Sequence, residues 1–227
     1  MTSLEDVDAL LLDVDGTLVD TTYLHAWLWS EAFAERGHAR PVADLHGLIG
    51  MDSERLIATA LADAPPAAQL VEDLSRRHLQ LYEPYWPRLR PLPGARLLLQ
   101  RVHDAGRRVV LVTSAGDAEL RALRAALDAD QHIDAATTSD DVESGKPEPD
   151  VVAIALQRAG AAPERALLVG DSVWDGEAAQ RAGVRFVGVT SGGICEHQLR
   201  EAGAVNVYRD AAELAAHLGT GQSSPSS

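Results

Sequence analysis

Cysteine is almost missing from this chain, since Cys195 is the single one among 227 residues. No internal disulfide can form, which fits a reducing compartment. Long hydrophobic runs are missing too, because no apolar stretch reaches the roughly 18–20 residues that a membrane-spanning helix needs. The first residues, MTSLEDVDALLL, lack the basic start and the small-residue cleavage site of a secretory signal peptide. From these absences we expect a soluble, cytoplasmic protein.

Positive charge is also scarce: 20 lysines and arginines stand against 34 acidic residues, and the formal net charge is −14. Such a surface repels phosphate backbones and anionic membranes, so neither nucleic acid nor a membrane is an expected partner. A small phosphorylated ligand stays compatible if a cation or a metal is local. Lys146 is the only lysine. A coding bias toward arginine would explain the scarcity of lysine, but the single lysine still makes the loop that contains it a candidate for a functional role.

The spacing of apolar residues separates two kinds of structure. Residues 22–83 show helical spacing without strand-like alternation, with Thr21 or Thr22 as a cap for the first helix. Elsewhere, predicted strands lie at 9–14, 108–113, 135–139, 166–170, 185–189 and 206–208. Helices are predicted at 22–37, 52–63, 67–83, 94–105, 116–128, 149–159, 174–182, 196–202 and 210–218. This alternation predicts an α/β fold, a doubly wound parallel sheet with an all-helical insertion, joined by the proline-rich linker YWPRLRPLPG (85–94).

Polar residues cluster where the predicted strands end, and ligands of open parallel sheets sit beyond those ends. They are Asp13, Asp15, Thr113, Ser114, Asp171 and Asp175, with Lys146 in the loop SGKPEPD (144–150). Four carboxylates at one sheet edge repel each other unless a cation lies among them. Hard oxygen ligands suit Mg²⁺, which fills its octahedron with water and substrate phosphate. The pattern therefore predicts a magnesium ion and a phosphorylated substrate.

Two carboxylates two residues apart can divide the work of phosphoryl transfer. One of Asp13 and Asp15 can attack phosphorus while the other carries the proton of the leaving group. Thr113 and Lys146 would offer a hydroxyl and an ammonium to the transferring oxygens, and Gly16 would allow a sharp turn. Simpler readings exist for each part: a turn at Asp-Gly, a helix N-cap at Gly-Asp-Ser, and a solvated loop at Lys-Pro-Glu-Pro-Asp. The occurrence of all of them at the ends of one sheet's strands favours a site.

Four segments, DVDGTLVDT, VVLVTS, SGKPEPD and VGDSVWDGEAA, resemble in this order the motif series of the haloacid dehalogenase superfamily. The resemblance covers about 4–20 and 94–210. The helical block resembles the cap inserted after the first motif in the phosphoglycolate phosphatase and β-phosphoglucomutase branch. It implies a Rossmann-like core over 1–20 and 90–219 and a helical cap over 21–89. The small, polar residues 220–227 are expected to be a disordered tail.

The resemblance also implies roles for individual residues. The implied catalytic residues are Asp13 as nucleophile, Asp15 as general acid/base, Thr113 as a phosphate-binding hydroxyl and Lys146. The implied Mg²⁺ ligands are Asp13, Asp15 through its backbone carbonyl, Asp171, and Asp175, which ligates or orients. The implied substrate-binding residues are Gly16, Ser114, His25 and Arg55. The expected partner is a small phosphorylated metabolite, and the chain is expected to be a monomer or a homodimer.

Several activities of the superfamily can be weighed from the residues present. Asp15 favours phosphoryl transfer over dehalogenation, and the lack of lysine in 21–88 excludes a Schiff-base hydrolase. His25 stands where mutases carry a histidine, although it could equally be a half-buried residue near the hinge. Arg55 is the only basic residue in the loop 49–56, which favours a phosphatase. The alternatives are a sugar phosphate mutase and a non-catalytic module that binds a phosphorylated ligand. Arg55, His46 and Asp52 are candidates for specificity, with a solvated helix face as the simpler reading of Arg55.

Overall fold

The computed structural model describes residues 6–62, 66–141 and 145–218. Within these ranges one six-stranded sheet forms, in the order β3-β2-β1-β4-β5-β6, and all of its pairings are parallel. The strands are β1 (Ala9–Leu12), β2 (Arg108–Val112), β3 (Ala135–Thr137), β4 (Ala166–Gly170), β5 (Arg185–Val189) and β6 (Ala204–Tyr208). The predicted doubly wound parallel sheet is confirmed. The predicted tail 220–227 lies outside the described residues.

Both faces of the sheet are buried, as apolar runs without alternation require. Along β1, Leu10 and Leu12 pack in one apolar cluster, whereas Ala9 and Leu11 pack in a second. Successive side chains of a strand point to opposite faces, so one short strand contributes to both layers. β1 lies centrally between β2 and β4, which places the residues that follow it in the middle of the sheet edge.

Helices occupy the chain between β1 and β2. They are α1 (Thr22–Glu35), α2 (Val42–His46), α3 (Ser53–Leu61), α4 (Ala68–Tyr82) and the 3₁₀ helix Glu83–Arg88. A separate apolar cluster that includes Trp29, Phe33 and Ile57 holds the four α-helices together, whereas Tyr85 and Trp86 of the 3₁₀ helix pack against a cluster of the sheet. The linker prediction for 85–94 was wrong up to Arg88, because a 3₁₀ turn needs few backbone N–H donors and so accepts proline. The division into a core and a cap over 21–89 stays a prediction.

The remaining helices cover the two faces of the sheet. They are α5 (Ala95–Asp104), α6 (Asp117–Leu127), α7 (Asp150–Ala159), α8 (Val173–Arg181), α9 (Glu196–Glu201) and α10 (Ala211–Leu218). Each lies within two residues of its predicted bounds, since the apolar spacing of these segments is regular. None of the helices described is long and apolar enough to cross a membrane.

Candidate active site

The loop after β1 carries Asp13 and Asp15 to the sheet edge. The backbone N–H of Asp13 donates to the carbonyl of Val169 at 2.9 Å, so Asp13 stays anchored to the neighbouring strand. The chain then turns at Gly16, which has a φ of +75°. A side chain at Gly16 would collide with Thr22 and Asp171. Glycine therefore permits both the left-handed turn and the close approach of the loop to Asp171.

Lys146 lies beneath the carboxylates of this edge, with a side chain only 1 % exposed. Its Nζ lies 2.5 Å from Asp13 Oδ1 and 2.8 Å from Asp175 Oδ1, and it donates to the carbonyl of Val112 at 3.0 Å. Burial lowers the pKa of Lys146, but the two carboxylates outweigh burial and hold the pKa above its usual value. The ammonium therefore stays charged beside Asp13.

Asp13, Asp171 and Asp175 each place a carboxylate oxygen within 4.8 Å of the others. Burial raises the pKa of Asp13 to about 7; Lys146 opposes the rise, and the charges of Asp175 and Asp15 add to it. Burial and the neighbouring carboxylates likewise raise the pKa of Asp171 well above its usual value. A divalent cation would offset this excess of negative charge, and the all-oxygen donor set fits Mg²⁺. Asp13 and Asp171, with the backbone carbonyl of Asp15, are the groups that would hold it.

The Asp175 side chain forms hydrogen bonds at the start of its own helix, α8. Its Oδ2 accepts hydrogen bonds from the backbone N–H and the hydroxyl of Ser172, at 3.1 and 2.6 Å, in a capping box that begins α8. Its Oδ1 faces Lys146. The sequence left open whether Asp175 ligates or orients, and this geometry favours the orientation of Lys146.

Asp15 faces the helical insertion. It accepts a hydrogen bond of 2.6 Å from Thr21 Oγ1, and its carboxylate lies 3.4 Å from both His25 Nε2 and Thr113 Oγ1. Burial raises the pKa of Asp15, but His25, Thr21 and the charge of Lys146 outweigh burial, so the pKa lies below its usual value. The predicted nucleophile and the predicted acid/base thus face the same cavity with different environments.

Two residues that the sequence did not single out join this cluster. Glu119, in the first turns of α6, lies 3.5 Å from His25 Nε2, and His78 of α4 lies 3.1 Å from His25 Nδ1. Burial raises the pKa of Glu119 to about 7, with His25 opposing and Asp15 adding to the rise. The position of Glu119 just beyond β2 is a signal that could have found it. No local pattern marks His78, which stacks on Trp29 at a centroid distance of 4.1 Å.

Two of the expected specificity residues, Arg55 and His46, contact the core, and the third, Asp52, caps a helix of the insertion. Arg55 Nη2 donates to Glu148 at 2.9 Å, and Asp52 Oδ1 accepts from the backbone of Arg55 at 2.8 Å as the cap of α3. His46 Nε2 lies 2.8 Å from the carbonyl of Gly192. Arg55 lines a cavity next to Thr113, whereas Asp13 and His25 line another; Ser114 borders both. Substrate contacts by Arg55, Ser114 and Gly16 stay predictions.

Comparisons with known proteins place the chain in a family. The family model of haloacid dehalogenase-like hydrolases matches residues 7–183. The chain belongs to the haloacid dehalogenase-like hydrolases. The predicted superfamily and hydrolase class are therefore confirmed.

Similar proteins of this hydrolase family include both phosphatases and a mutase. A phosphoglycolate phosphatase of Nitrosospira multiformis is 31% identical over 186 residues, which cover 78% of this chain and 80% of the relative. A β-phosphoglucomutase of Mycobacterium bovis is 31% identical, with 92% of each chain covered. The crystal structure of a hydrolase from Pseudomonas syringae superposes with a TM-score of 0.88 at 32% identity, covering 93% of this chain and 97% of that one. The architecture of this hydrolase, insertion included, is thus shared over nearly the whole chain.

Proposed function

We propose that this hydrolase is a Mg²⁺-dependent phosphatase that cleaves a small phosphomonoester, of the phosphoglycolate or sugar phosphate type, through an aspartyl phosphate on Asp13. The observation that carries the proposal is the position of Asp13, bound at 2.5 Å by the buried Lys146 and sharing one cavity with Asp15. A charged lysine favours the ionised form of a buried carboxylate, which is the form that attacks phosphorus. Bound Mg²⁺ would neutralise the charge of the phosphoryl group.

In this mechanism the two motif-one carboxylates alternate in use. The Asp13 carboxylate attacks phosphorus in line while Asp15 gives a proton to the departing ester oxygen. Asp15 then takes a proton from the water that hydrolyses the aspartyl phosphate, which restores both residues. In this mechanism the charge of Lys146 and the hydroxyl of Thr113 stabilise the oxygens of the transferring phosphoryl group. His25, at 3.4 Å, orients the Asp15 carboxylate toward the cavity.

The Mycobacterium bovis relative supports a sugar phosphate mutase as the second candidate. A mutase has to hold a second phosphate, and no lysine or arginine of the described residues lines the cavity shared by Asp13, Asp15 and His25. This observation favours the phosphatase. A module that only binds phosphorylated ligands would not need both Asp13 and Asp15 beside one cavity.

Phosphate release from a panel of small phosphomonoesters, with Mg²⁺ and with EDTA, tests the proposal. We expect metal-dependent release that falls by at least about 10³-fold in Asp13→Asn, because no other group can form the covalent intermediate. Asp104→Asn, at an exposed aspartate of α5, is the matched control and should keep full activity. Full turnover in Asp13→Asn, or isomerisation that requires a bisphosphate activator, would overturn the proposal.

A further inference from the structure

The cavity beside Asp15 is where the released alcohol has to lie. Because Asp15 protonates the departing oxygen in the proposed mechanism, the rest of the leaving group extends from Asp15 into the space that its carboxylate faces. This space, called here the leaving-group cavity, is lined by Asp15, His25, Trp29, Ser53, His78 and Glu119. It is one side of a cavity that also reaches Asp13 and Asp171, and the whole cavity has a volume of about 90 Å³. Residues of both the insertion and the core line it, and its small volume suits a small leaving group.

Apart from histidines, the charged side chains that line the leaving-group cavity are acidic. Among the described residues, no lysine or arginine lines it. Lys146 is held between Asp13 and Asp175, and Arg55 lines the neighbouring cavity, where Glu148 binds its guanidinium. His25 can carry a positive charge, but its Nε2 already lies within 3.4 and 3.5 Å of the carboxylates of Asp15 and Glu119. An anionic group on the substrate would therefore meet Glu119 without a free cation, and even a protonated Glu119 supplies no positive charge.

Uncharged hydroxyl groups suit this lining better than anions or amines do. A hydroxyl can donate to Glu119 and accept from Ser53, whereas an ammonium can only donate. Trp29 and Leu56 add apolar walls against which carbon-bound hydrogens of a polyol can pack. The lining thus combines donors, an acceptor and apolar surface, as recognition of a small polyol requires.

We infer that Glu119 is a specificity-determining residue, which makes the enzyme select phosphomonoesters of uncharged, hydroxyl-bearing alcohols against esters that carry a carboxylate or a second phosphate. This inference rests on the proposed phosphatase function and narrows its substrate class. It removes phosphoglycolate from the preferred substrates, although a relative bears the name phosphoglycolate phosphatase.

Three two-carbon esters test the inference with matched size: 2-hydroxyethyl phosphate, phosphoglycolate and phosphoethanolamine, which end in a hydroxyl, a carboxylate and an ammonium. With Mg²⁺ present, we expect kcat/KM for the hydroxyl ester to exceed that for phosphoglycolate by about 100-fold, because a site built for a hydroxyl leaves an anion unpaired. A preference for phosphoglycolate or for phosphoethanolamine would overturn the inference while leaving the phosphatase proposal intact.

Glu119→Gln tests the contribution of the Glu119 charge, since the amide keeps the shape of the side chain and removes the negative charge. We expect the ratio of kcat/KM for the hydroxyl ester to that for phosphoglycolate to fall about 10-fold. If Glu119 acted only by positioning His25, Glu119→Gln would lower kcat/KM for all three esters together and leave this ratio unchanged. That result would overturn the inference. Glu164→Gln, at an exposed glutamate far along the chain, is the control and should leave both rates and ratio unchanged.

Ligand affinities of an inactive variant distinguish a failure of this inference from a failure of the proposed function. In Asp13→Asn with Mg²⁺, calorimetry should show the hydroxyl ester binding about 10-fold more tightly than phosphoglycolate. Absence of turnover in the unaltered enzyme together with this ranking would reject the phosphatase and retain the selectivity. Equal or reversed affinities would reject the selectivity whether or not the enzyme turns over.

Discussion

At the scale of single residues, Lys146 shows how a buried charge becomes part of a site. Its side chain is fully enclosed, and its Nζ has three partners: Asp13, Asp175 and the carbonyl of Val112. A buried ammonium without such partners would lose its proton or destabilise the fold. Because two carboxylates share this one cation, both the conformation of Asp13 and the local fold depend on it.

Lys146→Met tests this dependence through stability. In EDTA, we expect the free energy of unfolding to fall by about 3 kcal/mol, because the change leaves Asp13 and Asp175 buried without their cation. Added Mg²⁺ should stabilise the variant more than the unaltered protein, since the metal then meets more uncompensated negative charge. Urea denaturation with EDTA and with Mg²⁺ measures both effects.

Arg76→Met, at an exposed position of α4, is the control and should change the free energy of unfolding by less than about 0.5 kcal/mol. A Lys146→Met protein as stable as the control in EDTA would contradict the pairing. Equal stabilisation of both proteins by Mg²⁺ would contradict metal binding beside Asp13.

At the scale of elements, helix starts show where local sequence predicts structure and where the site overrides it. Thr21 occupies the N-cap position of α1, as expected, but its hydroxyl donates to Asp15 at 2.6 Å instead of capping the helix. Asp52 and Ser172 do cap α3 and α8. Periodicity and cap residues therefore predicted most helix bounds. They could not predict that one cap residue serves the active site, because that contact crosses from the helix to the loop after β1.

Asp210 caps α10, and its contribution should depend on pH. Its Oδ1 accepts from the backbone N–H of Glu213 at 2.9 Å. Burial raises the pKa of Asp210, but the backbone amide of Glu213 and the guanidinium of Arg209 outweigh burial, so the pKa lies below its usual value. A lowered folded-state pKa means that the stabilisation is present above the unfolded pKa of 3.8 and is lost as the pH falls through the folded-state pKa.

We therefore expect Asp210→Ala to lower the free energy of unfolding by about 1 kcal/mol at pH 7. The difference from the unaltered protein should shrink as the pH falls below the unfolded pKa of 3.8. Urea denaturation across this range measures it, and Glu31→Ala, at an exposed position within α1, serves as the control. A difference that stayed constant at low pH would show that the ionised carboxylate is not its source.

At the scale of the whole molecule, polar contacts join the insertion to the core around the site. Trp174 Nε1 donates to the carbonyl of Gly47 at 3.0 Å, and these residues lie 127 positions apart in the chain. Arg55 and Glu148 are 93 positions apart, and His46 and Gly192 are 146 apart. The strands of the parallel sheet and the cluster of polar residues beyond their ends could be predicted, because the carboxyl ends of parallel strands meet at one edge whatever covers them.

Contacts between the insertion and the core could not be predicted in this way. They depend on how the helices dock, and neither spacing nor composition encodes docking. The sequence therefore indicated Asp13, Asp15, Lys146 and Asp171 together but left out Glu119, whose partner His25 lies in the insertion. It also left out His78, because the contact of His78 with His25 depends on how two helices of the insertion pack. For the same reason it treated Arg55 as a substrate residue without the alternative of a contact to Glu148.

A double-mutant cycle of Arg55 and Glu148 distinguishes these two roles of Arg55. The pair is partly exposed, and Arg181 also binds Glu148 at 2.9 Å, so the contact is worth about 0.5 kcal/mol in holding the insertion against the core. If that is its role, Arg55→Ala, Glu148→Ala and the double variant should each raise KM about two-fold, with non-additive effects and an unchanged order of preference among the esters. If Arg55 binds substrate, Arg55→Ala alone should change that order, and its effect should add to that of Glu148→Ala. Steady-state kinetics on the three two-carbon esters decide between the two, because only a residue that touches the substrate can distinguish their terminal groups.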